Sequence, residues 1–313
     1  MVGCDAIFHD VLDDCPQGVY VKLYQQTPCA DAPSYLGTVD QLHLFAFDQQ
    51  SRLAGIHEAK NVSVGQNDSI LMPLPEGIYS FIAWTGATSP AEISKFTVGE
   101  TLKKDLLLQL PTTVSNLLPE LAGKTILQGE TEQAVELPSA VTDGSVFKTT
   151  SINVANKVYR INFTIKLDPS VQENLTPQDF MLSVRSAATA MSFDASMPLG
   201  RPSANYPVTV SYGTDKQMAS VNMLDIRNTG YDNRVILLNT KTGEELWNAD
   251  LLGTVLLNRI TNQVNPNLNL DCQNEVDVEF LIKDKCDGCG TYVCYEIRVA
   301  NWVVHSYSTM LNF

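Results

Sequence analysis

Charge is scarce in this chain, and most of it is negative. Charged residues make up 18% of the sequence, 21 basic against 35 acidic, for a net charge of -14 at pH 7. Such a surface repels a phosphate backbone and offers no basic patch to anionic lipid, which excludes nucleic acid as a partner. No run of 18 apolar residues occurs, so no segment reads as a membrane-spanning helix. Histidine is limited to His9, His43, His57 and His305, scattered along the chain. The hydrolase elbow GxSxG, the zincin HExxH and the dinucleotide GxGxxG are all missing. Leu121-Ala122-Gly123-Lys124-Thr125 ends like a phosphate loop, but Leu118 stands where that loop needs its first glycine. No nucleophile, base and orienting group are visible together, so no catalytic residue, metal or cofactor is assigned.

What is present is apolar material in alternation. The 313 residues are 44% hydrophobic, enough for packed cores and about twice the usual domain length. Val19, Val21 and Leu23 alternate with Tyr20, Lys22 and Tyr24; Leu42, Leu44 and Ala46 alternate with His43, Phe45 and Phe47. The run Ile78 to Trp84 is apolar on both faces, as a central strand would be. Tyr159, Ile161, Phe163, Ile165 and Leu167 alternate with polar partners, a half-buried strand. Further strands are expected near 180–186, 206–212, 219–227 and 233–240, and a hairpin from 276–283 and 291–304. Only 249–264 has helical spacing, with Asn248 placed to cap it. Trp84 and Trp302 read as core residues, and Trp247 is left open. The expected fold is all-β: a tether at 1–17, a sandwich at 18–155 and a second sandwich at 156–313, the latter with one short helix.

Seven cysteines suit an oxidising compartment, and an odd number leaves one over. Cys4, after Met1-Val2-Gly3, reads like the end of a lipobox, where a small residue precedes the acylated cysteine. Cys15, Cys29, Cys272, Cys286, Cys289 and Cys294 are then available for disulfides. If 18–26 is one strand, Cys15 and Cys29 lie roughly 40 Å apart at ~3.3 Å per residue, too far to bridge unless the chain folds back after Tyr24. Cys272, Cys286, Cys289 and Cys294 could instead hold zinc. Only one Cys-x-x-Cys knuckle is present, so disulfides are the favoured reading.

Seven stretches in order resemble the FimB- and Mfa-type fimbrial anchor lipoproteins of Bacteroidales, once described as polysaccharide-binding proteins. They are Cys4 with Asp13-Asp14-Cys15-Pro16-Gln17-Gly18-Val19, then VDQLHLFAFDQQSRL (39–53) and LPEGIYSFIAWTG (74–86), VANKVYRINFTI (154–165) with VILLNTKTGEELWNADLL (235–252), and the closing pair VEFLIKD (278–284) and YEIRVANWVV (295–304). The stretch Asn153–Tyr159 lacks the family's asparagine pair, and the CDGCGTYVC insertion lies outside its pattern. The resemblance implies two fimbrillin-like, transthyretin-like sandwiches. It also implies a lipid on Cys4 after signal-peptide removal, a place on the outer membrane, and a role in anchoring a fimbria and limiting its length. Assembly would use strand addition, with Val19, Val21 and Leu23 and with Tyr295, Ile297, Val299 and Trp302 as the participating elements. Pilin subunits are the implied partners. A glycan-binding surface lipoprotein is the alternative, and it would show an exposed row of Tyr and Trp in a groove.

Overall fold

A computed structural model of the chain describes residues 16–86, 91–139, 143–171, 174–194, 196–227, 232–251, 265–286 and 290–307. These gather into two compact units. The first holds the described residues of Met1–Gln109, Lys124–Lys157 and Met191–Ser196; the second holds those of Leu110–Gly123, Val158–Ala190 and Met197–Phe313. The crossing at Lys157 to Val158 falls just after the expected cut at 155/156. Segments 110–123 and 191–196, however, each join the unit that a single cut would deny them.

In the first unit, β1 (Gly18–Tyr24) buries Val19, Val21 and Leu23 and turns Tyr20 and Lys22 outward, the alternation its sequence dictates. It runs parallel to β10 (Phe147–Asn153) on one side and antiparallel to β4 (Ile70–Pro73) on the other. A second sheet has the order β11 (Ala155–Asn156), β8 (Ile126–Glu130), β5 (Gly77–Gly86), β2 (Gly37–Phe47) and β3 (Leu53–Val64), and β9 (Val135–Leu137) pairs with the start of β5. Leu42, Leu44, Ala46, Phe81 and Ala83 from this sheet join Val19, Val21, Leu23 and Ile152 in one core. The opposite face of β2 and β5 carries Phe45, Ile82 and Trp84, also buried, with Phe96 set edge-on to Phe45 at 5.7 Å. This second covering explains why β5 is apolar on both faces. Close by, β6 (Glu92–Ile93), β7 (Leu107–Gln109) and β14 (Ala190–Ser192) form a small sheet.

The second unit is a sandwich. Its larger sheet has the order β16 (Val208–Tyr212), β17 (Lys216–Leu224), β12 (Val158–Leu167), β20 (Glu275–Asp284), β21 (Tyr292–Val299) and β22 (Trp302–Ser306). The smaller runs β15 (Ala204–Tyr206), β13 (Phe180–Ser186), β18 (Arg234–Asn239) and β19 (Glu245–Asp250). Phe163 and Phe280 meet in the interior at 6.1 Å, and Trp247 of β19 reaches Phe280 at 6.4 Å.

Three expectations are corrected here. Residues 249 and 250 are strand and not the start of a helix. Asn248 and Ala249 pair with Ile236 and Val235, so ladder pairing wins over helical spacing at that end. Leu251, the next residue, is helical, and the rest of the expected helix, 252–264, lies outside the described residues. The stretch 291–304 is two strands, because Ala300 (φ 47) and Asn301 (φ 65) turn the chain back between Val299 and its partner Trp302. Two successive positive φ values in a two-residue loop define the turn whose twist suits a hairpin. Trp302 is therefore only half buried, on the last strand of its sheet, and is not a core residue.

Candidate assembly surface

Proteins that join strands to one another do so at sheet edges, where unpaired N–H and C=O groups remain; most edges are blunted by charge, proline, brevity or a bulge. The first unit follows this rule. β3 carries Glu58 and Lys60 and a left-handed Asn61 (φ 51), β10 carries Lys148, and the four-residue β4 ends in Pro73. In the second unit β19 has acidic residues at both ends and a register shift against β18. The outer edge of β15 is occupied: Asn205 N–H donates to Asn116 O at 2.9 Å and Asn205 O accepts from Leu118 N–H at 2.9 Å. β22 has a register shift opposite Ile297 and Arg298, and its Val304 and Ser306 have further partners. β16 reads Val-Thr-Val-Ser-Tyr, without charge, proline or register shift.

The residues expected to take part in strand addition occupy paired positions. Val19, Val21 and Leu23 are 0%, 0% and 2% exposed on a strand with a neighbour along both edges. Tyr295, Ile297 and Val299 lie on β21, which has β20 on one side and β22 on the other. Trp302 alone lies on a terminal strand of its sheet.

Cys4, Cys15, Cys289 and His9 lie outside the described residues. Cys29, Cys272 and Cys286 are disulfide-bonded. The chain does fold back after Tyr24: Gln25 and Ser34 bridge each other, which puts Cys29 within a loop and away from the end of an extended strand. Cys294 is the exception to the expected pairing. It carries a free thiol, is 2% exposed, and faces the interior from β21, where burial pushes its pKa up. Its place in the strand alternation, and not its spacing from Cys289, decides its chemistry. With Cys272 and Cys286 bonded and Cys294 buried alone, these sulfurs do not form a zinc set. Among the described residues no three of His, Cys, Asp and Glu come together as metal ligands.

The remaining polar features are structural in form. His43 Nδ1 lies 3.1 Å from Glu58 Oε1, across the β2–β3 pair, in a groove of about 790 Å³ lined also by Gln41, Lys60, Glu92 and Phe96. Trp84 is buried in the core, and Trp247 packs against His305 at 4.8 Å. His305 has a lowered pKa: burial lowers it, against a hydrogen bond to the Cys294 backbone. Asp225, 1% exposed at its side chain, is neutralised by Arg227, which also reaches Asp271 at 3.1 Å. Tyr159 beside them has its pKa raised, first by burial and then by Asp225. This network ties the end of β17 to the 271 loop.

Residues 12–308 match the model of the fimbrillin-A associated anchor proteins Mfa1 and Mfa2. The chain belongs to this family. It is 28% identical over 315 residues to the minor fimbrium anchoring subunit Mfa2 of Porphyromonas gingivalis, covering 99% of this chain and 92% of that one. The solved structure of the fimbrial anchor protein Mfa2 from Porphyromonas gingivalis superposes with a TM-score of 0.82 at 26% identity, over 94% of this chain and 100% of that one. A candidate adhesin from Bacteroides ovatus superposes with a TM-score of 0.69 at 16% identity, over 97% and 98% of the two chains, which shows a shared fold. Membership supports a role in fimbrial anchoring. No helix among the described residues is long and apolar enough to cross a membrane.

Proposed function

We propose that this protein is an outer-membrane lipoprotein that anchors a surface fimbria and limits its length. In this reading acyl chains on Cys4 hold it to the membrane after a signal peptide is removed. Its sandwich units bind fimbrial subunits by strand addition, and the assembled fimbria serves cell adhesion. The observation that carries the reading is the family match across residues 12–308. Strand addition has physical support in β1, which fills a slot between β10 and β4 with buried side chains at every second position, the spacing any replacing strand would need. The β21–β22 hairpin, with Tyr295, Ile297, Val299 and Trp302, is the second element assigned to this contact. A glycan reading calls for an exposed row of Tyr and Trp in a groove, whereas the His43 groove offers Phe96.

The test is made in cells that bear the fimbria. Deleting this chain should release fimbriae, longer than normal, into the medium, and Cys4→Ala in the full precursor should end labelling by radioactive fatty acid. Fimbriae that stay attached after deletion overturn the anchoring reading. Label that persists in the variant overturns the acylation site.

A further inference from the structure

We propose that β16 is the edge on which a strand of a fimbrial subunit is laid, adding one strand to the larger sheet of the second unit. The proposal rests on the anchoring reading and names the surface it uses. Three observations converge on this strand. First, the other long edges carry a charge, a proline or a register shift, or are already occupied, and the five residues Val208–Tyr212 have none of these. Second, the core-facing row runs out before its strand does. Val208, Val210 and Tyr212 stand opposite Val221, Ala219 and Gln217, and so share their face of the sheet. Those partners are 0%, 5% and 1% exposed, but Val210 is 37% and Tyr212 49% exposed. Apolar side chains on the inner face of an edge strand, left in water, are what an added strand and its own side chains would cover. Third, the inner edge of β16 is fixed by five paired residues of β17 and closed by a turn in which Gly213 N–H donates to Lys216 O at 2.8 Å. The acceptor edge is therefore ordered in advance.

The chemistry of this edge states what it takes. Main-chain groups of β16 that have no strand neighbour among the described residues require an extended backbone. Val210 and Tyr212 require apolar side chains at alternate positions of the incoming strand. Thr209 and Ser211, exposed on the other face, tolerate small polar ones. A charge at the donor positions that face Val210 and Tyr212 would be covered without a counter-charge on β16, so those alternate positions of the donor segment are uncharged.

The experiment replaces the chromosomal copy, in fimbriated cells, with Val210→Lys and with Tyr212→Glu, and places a photocrosslinking residue at Val210 in a third strain. Both substituted side chains are already exposed; circular dichroism and thermal melting of the purified variants confirm that the fold is kept. Lys60→Glu on the protected edge β3 is the control. The expected result is loss of fimbriae to the medium in both β16 variants, with the protein still on the cell surface and the control unchanged. The crosslinked peptide should come from a fimbrial subunit and carry uncharged, apolar residues at alternate positions. Fimbriae retained by both folded variants overturn the proposal. So does a crosslink that joins two copies of this chain, which identifies β16 as a self-pairing edge, or a crosslink found nowhere but within one copy. Where deletion of the whole chain sheds fimbriae and the β16 variants do not, anchoring stands and β16 fails. Where deletion sheds nothing, the anchoring reading itself fails.

Discussion

Cys294 shows what a single residue's place in a strand decides. The sequence puts it among closely spaced cysteines, but the alternation of β21 turns it inward, where it ends as a buried thiol. It should resist alkylation in the folded protein and react after denaturation without any reductant, as peptide mass mapping would reveal; rapid native labelling would contradict this placement. Asp179 offers a second test. Its carboxylate accepts from the Thr176 backbone N–H at 2.6 Å and hydroxyl at 2.9 Å, and pairs with Lys241 Nζ at 2.9 Å. Burial raises its pKa, but these donors outweigh burial and hold it below the ordinary value. A depressed folded pKa means the stabilisation is complete above the unfolded value of ~3.9 and is lost as pH falls through the folded one. Asp179→Ala should therefore cost about 1 kcal/mol at neutral pH, and the gap between variant and parent should close on acidification below about pH 4 in urea titrations. A gap that widens there would refute the assignment.

At the scale of elements, period-two patterns were legible wherever one face is buried. β1, β12, β13 and β18 lie where Val19–Leu23, Tyr159–Leu167, 180–186 and 233–240 place them. Elements set by the backbone were harder to read. The turn at Ala300 and Asn301 contains no glycine, so its positive φ pair leaves only half of the usual sequence signal. Asn248 looked like a helix cap because apolar spacing is a local property, whereas its pairing with Ile236 is not. The open inner face of β16 had no signal at all: its alternation looks like that of any covered strand. Gly86 ends β5 at φ 96, and a Cβ there would fall 1.9 Å from Thr125 O. Gly86→Ala combines a left-handed conformation with a backbone clash, and should lower stability by about 2 kcal/mol or more. Chemical denaturation measures it; a loss near zero would mean that the β5–β8 pairing shifts at no cost.

For the whole molecule, the division into two units follows spatial order more than sequence order. Residues 110–123 come before the last strands of the first unit, but they belong to the second. They carry little strand periodicity, which is why no pattern in the sequence assigns them. Within the second unit Leu118 and Leu121 are 2% and 0% exposed, and Asn205 exchanges both of its main-chain bonds with Asn116 and Leu118. Two backbone hydrogen bonds at about 1 kcal/mol each and two buried leucines at roughly 1.5 to 3 kcal/mol each make this segment a large share of a typical domain's stability. A fragment beginning at residue 156 should thus be less stable than the second unit in the intact chain, and the amide of Asn205 should exchange quickly in it. Adding a synthetic 110–123 peptide should restore protection at Asn205 and raise the fragment's melting temperature. Equal protection of Asn205 with and without the peptide would show that the second unit is complete from residue 156 onward.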